Sequence, residues 1–316
     1  MTDGDWLAAA FEENRDHLRA IAYRLLGSVA DAEDAVQDTW LRLSGSDTSD
    51  VENLGGWLTT VVARVSLNTL RARRHRREQP LGDTSADVAE INPQGGNVAV
   101  SRPSGTSGLP GDPADEIELA DSVGIALLVV LDTLTPAERL AFVLHDLFAM
   151  PFAEVGAVLG RTPEATRQLA SRARRRVRGA SSDGPHSAER AADLQRQRAA
   201  ANAFLAAARG GDFEALLAVL DADVELAADA ATVPSGNAAR LHGAEQVARG
   251  ASLSAGRAAD SQLALVNGSV GVLFAPGGRL QVVLAFTVGP AGTITAIDVI
   301  GDPERLSGLE LAVLPD

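Results

Sequence analysis

Positive charge in this chain is concentrated on one short segment. The stretch RTPEATRQLASRARRRVR, residues 161–178, holds seven arginines and one glutamate, whereas the whole chain has a formal net charge of −14. Thr162, Pro163 and Glu164 predict the start of a helix, because they supply a capping hydroxyl, a proline suited to the first turn and an acid near the positive helix end. A basic helix in an acidic protein favours binding to a polyanion.

The residues before the basic helix predict a second helix beside it. PFAEVGAVLG is a short apolar-periodic segment that closes at Gly160. Short helix, glycine turn and basic helix is the order of a DNA-binding helix-turn-helix, whose second helix enters the major groove. The alternative interpretation is a solvated surface helix, since arginine runs also occur on exposed faces.

Length and composition limit the class of protein. A chain of 316 residues is long enough for two or three domains. Cysteine is absent, which excludes disulfides, thiolate metal sites and cysteine nucleophiles. The N-terminal residues lack the basic-then-apolar pattern of a secretory signal, and no run of apolar residues is long enough to span a membrane. We therefore expect a cytoplasmic protein that needs no cofactor or metal and does not contact a membrane.

The chain divides into blocks of different character. Residues 1–78 are helical by their apolar periodicity. Residues 79–114 are rich in Gly, Pro and Ser and predict a flexible linker, because they offer too little apolar surface to offset the entropy of ordering. Residues 115–180 contain the capping-box pattern of Thr135 and Glu138, which starts the helix ERLAFVLHDLF, and end in the basic helix.

The last block, residues 191–316, predicts a mixed domain. Alanine-rich helices lead into alternating runs punctuated by glycine: SQLALVNGSVGVLFA, RLQVVLAFTVG and TITAIDVIG. These runs predict three antiparallel strands and therefore an α+β fold. Between residues 211 and 316 there are 13 acids and 5 arginines, so this block is not expected to bind nucleic acid itself.

Three segments, in order, point to a known family. DAEDAVQDTWLRL, GGWLTTVVARVSLNTLRARRHRRE and LTPAERLAFVLHDLFAMPFAEVGAVLGRTPEATRQLASRARRRVR closely resemble regions 2 and 4 of the bacterial extracytoplasmic-function (group IV) sigma factors. The resemblance implies a multidomain protein with a helical bundle for region 2 and a helix-turn-helix for region 4. It further implies that the chain binds core RNA polymerase, recognises the minus-ten and minus-thirty-five promoter elements and initiates transcription.

The first of these segments combines acids with an apolar stripe. In the family this helix docks on the clamp of core RNA polymerase, and such a mixture suits an interface with an apolar anchor and a charged rim. Trp40 can equally be interpreted as a core residue. The resemblance assigns polymerase binding to Asp31, Glu33, Asp34, Gln37, Asp38, Trp40 and Leu41.

The second segment ends in LRARRHRR, and the resemblance assigns it, with the loop 44–55, to the minus-ten element. Promoter opening needs a cationic surface for phosphates and a pocket for an unstacked base. The alternative is that these arginines only complement the helix C-terminal dipole. The predicted contact residues are Asn68, Arg71, Arg73, Arg74, Arg76 and Arg77.

The basic helix is assigned to the minus-thirty-five element. Polar residues near its start, including Thr166, are expected to reach base edges, and its arginines to grip phosphates. Leu169, Ala173 and Val177 should face inward, and His145 is interpreted as a structural histidine. The predicted contact residues are Arg161, Thr162, Glu164, Ala165, Arg167, Gln168, Ser171, Arg172 and Arg175.

The C-terminal block resembles a SnoaL-like domain of the nuclear-transport-factor-like superfamily, a curved sheet wrapped by helices into a cone with an apolar pocket. Sigma factors that carry such a domain form a subgroup, and the closing IGDPERL resembles a terminal motif of that subgroup. EQPLGDTSADV and AADAATVPSG stand where the subgroup often has motifs implicated in contacts with the sigma core. We expect an intramolecular contact and regulation in cis, since tethering gives a high effective concentration.

Other roles for the C-terminal block stay open at this stage. Asp229, His242 and Asp298 are candidate pocket residues for a catalytic base or a bound ligand, although a base also needs a perturbed pKa and suitable geometry. A contact with the protein's own helices is the interpretation we favour, and we do not expect an enzyme. The competing function is a stand-alone helix-turn-helix regulator that senses a small ligand, and the region 2 signature argues against it.

Overall fold

The structure of the chain is a computed structural model that describes residues 3–46, 51, 53–78, 124–179, 187–233 and 235–314. Several predicted features lie outside these residues: the linker 79–114, the part of the segment EQPLGDTSADV after Glu78, and most of the tip of the loop 44–55. The predicted domain limits at 78, 114, 180 and 191 therefore stay predictions.

Three helices form the N-terminal block. Gly27, with a φ of 73°, ends the first helix, and the Ser28 hydroxyl caps the second by accepting a hydrogen bond from the Asp31 N–H at 3.4 Å. The three helices pack against one another around fully buried side chains such as Leu18, Ile21 and Leu58. Their bounds are α1 Asp3–Leu26, α2 Val29–Ser44 and α3 Leu54–Glu78.

The second block contains the predicted helix-turn-helix. Thr135 caps α5 in a complete capping box with Glu138. Gly160, with a φ of 66°, ends α6, and the Thr162 hydroxyl caps α7 by accepting from the Ala165 N–H at 3.2 Å. The segment after Phe142 continues as a π-helical turn instead of the single α-helix that we predicted. The bounds are α4 Ile125–Asp132, α5 Pro136–Phe142, the π-turn Val143–Leu147, α6 Phe152–Leu159 and α7 Pro163–Arg178.

The turn between the π-helical segment and α6 holds a strained residue. Ala149 has a φ of 54°, which is unfavourable for a residue with a Cβ. The variant Ala149→Gly should relieve this strain and raise the free energy of unfolding by about 0.5–1 kcal/mol, since glycine adopts this conformation freely. Thermal unfolding of the two proteins measures the change, with Ala153→Gly, an exposed position inside α6, expected to shift stability the opposite way.

The C-terminal block is an α+β domain, as predicted, but its sheet is larger than predicted. Among the described residues, seven strands form one sheet in the order β2-β1-β6-β5-β4-β3-β7. The strands are β1 Leu220–Ala228, β2 Ala239–His242, β3 Ser261–Val266, β4 Ser269–Phe274, β5 Val282–Val288, β6 Ile294–Ile300 and β7 Leu311–Ala312. The helices are α8 Ser187–Gly210, α9 Phe213–Val219, α10 Ala244–Ser252, α11 Ala255–Ala259 and α12 Pro303–Ser307.

One part of the strand prediction is wrong. The run SQLALVNGSVGVLFA is a hairpin of β3 and β4, and Asn267 and Gly268 turn the chain between them with φ values of 51° and 82°. The three predicted runs pair antiparallel to one another, as expected, and the sheet also contains β1, a strand that was not predicted and that runs parallel to β6. The pairing of β1 with β6 joins segments far apart in the chain, so no local sequence pattern predicts it.

The two faces of the sheet belong to different cores. Alternate residues such as Leu265, Val272 and Phe286 pack with α8, α9 and α10. Their neighbours on the opposite face, including Val266 and Leu273, share a core with the helices of the first two blocks. Because side chains alternate along a strand, the sheet is a layer between its own helices and the rest of the protein.

The C-terminal domain also contacts both ends of the second helical block. The Gln262 side-chain oxygen accepts a hydrogen bond from the Ala126 N–H at 3.1 Å, at the start of α4, where Gly124 offers no capping side chain. The Val313 N–H donates to the Val177 carbonyl at 2.7 Å, at the end of α7. The domain therefore satisfies backbone groups that helix ends leave without partners.

Candidate nucleic-acid and partner-binding surfaces

An acidic cleft of about 390 Å³ lies between α2 and α3. Asp34 and Asp38 are exposed and one helical turn apart, so their like charges repel each other. Leu41, a further turn along, is 58% exposed, which is unusual for a leucine. A cationic partner with some apolar surface would relieve the repulsion and cover the leucine. The cleft is lined by Asp31, Asp34, Ala35, Gln37, Asp38, Leu41, Val65 and Thr69.

Three of the residues predicted for polymerase binding have partners within the chain. Asp31 forms an ion pair with Arg73 on α3. Glu33 pairs with Arg19 on α1 at 2.6 Å and lines a separate cleft between α1 and α2. Trp40 lines that same cleft and is half-buried, with its ring 5.1 Å from the ring of Phe11. Both interpretations of Trp40 are therefore compatible with its surroundings.

The basic end of α3 is mostly exposed. Asn68, Arg71, Arg74 and Arg76 lie on the surface, and the Arg77 side chain is outside the described residues. Arg73 differs, because its guanidinium donates to the Leu26 carbonyl at 3.1 Å as well as pairing with Asp31. It connects α3 to the junction of α1 and α2, an arrangement with no local signal in the sequence.

The helix α7 has one exposed and one buried face. The predicted inward residues Leu169, Ala173 and Val177 are buried. The prediction for Thr166 is wrong, because its side chain is fully buried and donates to the Thr162 carbonyl at 2.9 Å. Ala165 is half-buried, and the other predicted contact residues are exposed: Arg161, Thr162, Glu164, Arg167, Gln168, Ser171, Arg172 and Arg175.

Several arginines of α7 have partners inside the second block. Arg174 lies 2.5 Å from Asp146, and the Arg167 guanidinium lies over the Phe152 ring at 5.3 Å. Arg172 and Arg176 both pair with Glu138 on α5. Within the described part of the chain, no ion pair or hydrogen bond engages the side chain of Arg161 or Arg175. The positive charge available to a phosphate is therefore smaller than the arginine count suggests.

His145 has the surroundings of a structural histidine. Its Nδ1 lies 2.9 Å from the Met150 carbonyl, and its ring stacks on Phe152 with 3.6 Å between centroids. The Phe152 ring therefore contacts both His145 and the Arg167 guanidinium of α7. These contacts fix the junction between the π-helical turn and α6.

The first two helical blocks contact each other where α1 meets Phe148 and Arg139 of the second block. The Phe148 ring meets His17 edge-on at 5.3 Å between centroids and the Arg24 guanidinium at 5.2 Å. Burial lowers the pKa of the Arg24 guanidinium. Arg139, only 2% exposed, donates to the Arg24 carbonyl at 3.3 Å and pairs with Asp132 at 2.9 Å. We call the contact of Phe148, His17, Arg24 and Arg139 the interblock latch.

Two of the three candidate pocket residues of the C-terminal domain share a partner, because Arg305 pairs with Asp298 at 2.6 Å and with Asp229 at 3.6 Å. His242 and Asp298 line an open cleft of about 460 Å³ formed by strands β1, β2, β5 and β6. Asp229 does not line this cleft, because its carboxylate accepts from the N–H groups of Gly301 and Asp302 at 2.8 Å each. A separate, mainly apolar cavity of about 140 Å³ lies between the sheet and its helices.

Burial alone would raise the pKa of Asp229, but the N–H groups of Asp302 and Gly301 and the charge of Arg305 outweigh it, so the pKa lies below its ordinary value. A lowered folded pKa means that the carboxylate stabilises the fold above its unfolded pKa of about 3.9, and that this stability is lost as pH falls through the folded pKa. Asp229→Asn should therefore lower the melting temperature at pH 7, and its difference from wild type should shrink in acid. The exposed Asp223→Asn is the control and should show neither effect.

Among the described residues, no three His, Asp or Glu side chains are grouped so as to hold a metal ion. Of the helices that the structure describes, none has the length and apolar character needed to cross a bilayer.

Comparison with known proteins agrees with the two helical blocks. The family model of sigma-70 region 2 matches residues 10–76, and the model of sigma-70 region 4 matches residues 125–177. The chain is 35% identical over 317 residues to "ECF RNA polymerase sigma factor SigJ" of Mycobacterium tuberculosis, covering 95% of this chain and 93% of the relative. The chain belongs to the ECF RNA polymerase sigma factors.

One further relative supports the family assignment, and one solved structure is similar to the chain. "Probable ECF RNA polymerase sigma factor SigI" of Mycobacterium tuberculosis is 34% identical over 226 residues, or 71% of this chain and 70% of the relative. The crystal structure of Mycobacterium tuberculosis SigJ has 32% sequence identity and a TM-score of 0.43, and the match covers 95% of this chain and 98% of that one.

The family membership confirms the predicted regions and the predicted function. The helices α1–α3 are sigma region 2, α4–α7 are sigma region 4, and an α+β domain follows. The protein is an RNA polymerase sigma factor, which binds core RNA polymerase and promoter DNA. Sequence reasoning missed Glu138 and Arg139 as residues of interest. The capping box marked Glu138 as structural, but its contacts with α7 had no local signal.

Proposed function

We propose that this sigma factor binds core polymerase through the acidic cleft between α2 and α3, and that the exposed ends of α3 and α7 read the promoter. The C-terminal domain acts as a regulator in cis. The observation that carries the proposal is the exposure of both reading helices in a state where regions 2 and 4 are packed together.

The acidic cleft supports the polymerase assignment. Asp34, Asp38 and Leu41 present, on one exposed stripe of α2, an apolar side chain and two negative charges that form no ion pair with any described residue. A positively charged partner surface would gain on-rate and specificity from these acids, and burial of the leucine would supply an apolar anchor. Asp31, Gln37 and the paired Arg73 complete the border of this surface.

The exposed polar residues support the DNA assignments. Asn68, Arg71, Arg74 and Arg76 form a cationic surface at the end of α3, where an opened strand needs phosphate contacts. On α7, Thr162, Glu164, Gln168 and Ser171 are exposed near the helix start, the part of a recognition helix that reaches base edges. Arg161, Arg167 and Arg175 flank these residues as phosphate contacts, and Arg172 borders the same surface while it is paired with Glu138.

The packing of region 2 on region 4 supports regulation by opening. Elements at minus ten and minus thirty-five are separated by more than two turns of duplex, on the order of 80 Å. In the closed arrangement Arg64 of α3 donates to the Ala157 carbonyl of α6 at 3.4 Å. Helices of 25 and 16 residues, the lengths of α3 and α7, span roughly 25–40 Å. The two regions must separate before both elements are read.

The C-terminal domain is placed to influence this separation. It contacts α4 and α7 of region 4 and shares a core with region 2. Separation of the two regions would therefore break some of the contacts that the C-terminal domain makes. The apolar cavity of about 140 Å³ is smaller than typical ligand pockets of about 300–1,000 Å³, whereas the open cleft of about 460 Å³ at His242 and Asp298 falls within that range. Protein contact is favoured over ligand sensing by the core that the sheet shares with the sigma helices, not by cavity size. We infer that the C-terminal domain has no catalytic role. We also infer that the protein acts in the cytoplasm, where the polymerase works.

Run-off transcription tests the proposal. Full-length protein and purified core polymerase are combined over a fragmented genomic library, and discrete transcripts that share two upstream elements are expected. Tight, specific binding to duplex DNA without polymerase, together with no transcripts, would instead favour a stand-alone regulator.

The interblock latch gives a second test. Phe148→Ala removes the ring that contacts His17 and Arg24, so the closed arrangement should weaken and transcription at limiting sigma should rise several-fold. Leu147→Ala, an exposed neighbour, is the matched control and should behave as wild type. Equal transcription by the two variants would argue that the closed arrangement does not limit initiation.

A further inference from the structure

Glu138 is the most buried acid that contacts the recognition helix. The residue is 5% exposed and occupies the third position of α5. Its carboxylate accepts from the Thr135 N–H at 3.2 Å and from the Thr135 hydroxyl at 2.7 Å, which completes the capping box. A capping box needs no further partner, because these contacts already satisfy the helix end.

The same carboxylate nevertheless binds two arginines of α7. Arg176 donates to Oε2 at 3.0 Å, and the Arg172 Nε lies 3.4 Å from Oε1. The two arginines are four residues apart and therefore lie on one side of the helix, one turn from each other. Their side chains are 53% and 54% exposed, so they border the solvent-facing surface of α7 while they are held from below.

Charge near α7 has a direct effect on how selective DNA binding is. Phosphate contacts raise affinity for every sequence, whereas base contacts raise it for one sequence only. A buried acid that occupies two arginines lowers the first kind of contact and leaves the second unchanged. Base-reading residues at the helix start, Thr162 to Gln168, lie at the opposite end of α7 from Arg176.

We propose that Glu138 is a positioning residue for promoter choice: it holds Arg172 and Arg176 against α5 and so limits non-specific phosphate binding by the recognition helix. This rests on the proposed role of α7 in reading the minus-thirty-five element. The ion pairs of Glu138 with Arg172 and Arg176 set both the rotation of α7 on α5 and the positive charge that α7 presents to DNA. They thereby raise the ratio of specific to non-specific DNA binding.

The test uses Glu138→Gln in the full-length chain, since the amide keeps an oxygen for the capping box but has no charge. Binding to a random-sequence duplex is measured across salt concentrations. Each released arginine adds about 0.9 to the slope of log affinity against log salt, so a slope steeper by about one to two is expected. Holoenzyme should also lose several-fold in discrimination between a promoter and the same template with a scrambled minus-thirty-five element.

Thr135→Ala is the matched control, because it removes the capping box and leaves the carboxylate and both arginines in place. It should lower stability with an unchanged salt slope. Adding Arg172→Gln and Arg176→Gln to Glu138→Gln should return the slope to that of wild type or below it.

Two results would overturn the inference. The first is a Glu138→Gln protein that loses stability like Thr135→Ala and keeps the wild-type salt slope, which would make Glu138 a cap only. The second is a steeper slope that persists when both arginines are removed. A wild-type holoenzyme indifferent to the scrambled element would overturn the proposed role of α7 and this inference with it, so the two failures are distinguishable.

Discussion

A double charge reversal on α2, Asp34→Arg with Asp38→Arg, is expected to reduce run-off transcription at least about 100-fold. Like charges placed across an interface cost several kcal/mol, and about 2.7 kcal/mol corresponds to a factor of 100 in affinity. Both side chains are exposed and line the acidic cleft, so the change should leave the helical bundle intact. The substitutions also leave the Asp31–Arg73 ion pair between α2 and α3 intact.

Co-elution with core polymerase measures the first step separately from transcription. The matched control is Glu13→Arg with Asp16→Arg, two exposed acids of α1 that line neither cleft and give the same change in net charge. We expect the control to assemble holoenzyme normally. If both double variants lose polymerase equally, then net charge and not the α2 surface governs assembly; if neither does, the acidic cleft is not the polymerase site.

The helical regions were predictable because their signals are local. Gly27 and Gly160 end helices, Thr135 and Thr162 begin them, and each of these roles depends on residues within one turn. The exposed face of α7 also followed from periodicity, apart from Thr166. Its hydroxyl bonds within its own helix, and threonine is small enough to be buried there.

The sheet was harder to predict, although part of the signal was present. Asn267 and Gly268 are a strong hairpin pair, but apolar residues on both sides made the run resemble one long strand. Those continuous apolar residues also indicated that both faces of the strand are buried. A strand that is apolar on both faces is covered on both faces, and β3 indeed lies between α8 and the helices of region 4.

The ion pairs of the candidate surfaces could not be predicted. Asp31 and Arg73 join α2 to α3, and Glu138 and Arg176 join α5 to α7. Sequence reasoning assigned Asp31 to polymerase and Arg73 to DNA, which treats as independent two side chains that bind each other. Such pairs depend on how helices pack, and that is set by the whole core.

A chain that ends at His186 is expected to have a markedly less stable region 4. Truncation removes the Gln262 cap of α4 and the Val313 contact with the end of α7. It also exposes Leu128 of α4, a fully buried side chain that lies against Gly278 of the C-terminal domain. Loss of one helix cap costs about 1 kcal/mol, and each large apolar side chain returned to water costs about 1.5–3 kcal/mol. Amide hydrogens of α4 and α7 should therefore exchange at least about 100-fold faster.

Region 2 supplies an internal reference for this measurement. The chain has three tryptophans, Trp6, Trp40 and Trp57, and all belong to α1–α3, so their fluorescence follows the unfolding of region 2. In the truncated chain this transition should move less than the exchange rates of region 4. Full-length Gln262→Ala should accelerate exchange at the start of α4 alone, with the exposed Gln281→Ala as its control. Unchanged protection of α4 and α7 after truncation would show that region 4 stands without the C-terminal domain. In that case altered transcription by a truncated chain would report regulation, whereas faster exchange means that it reports, at least in part, the loss of a folding partner.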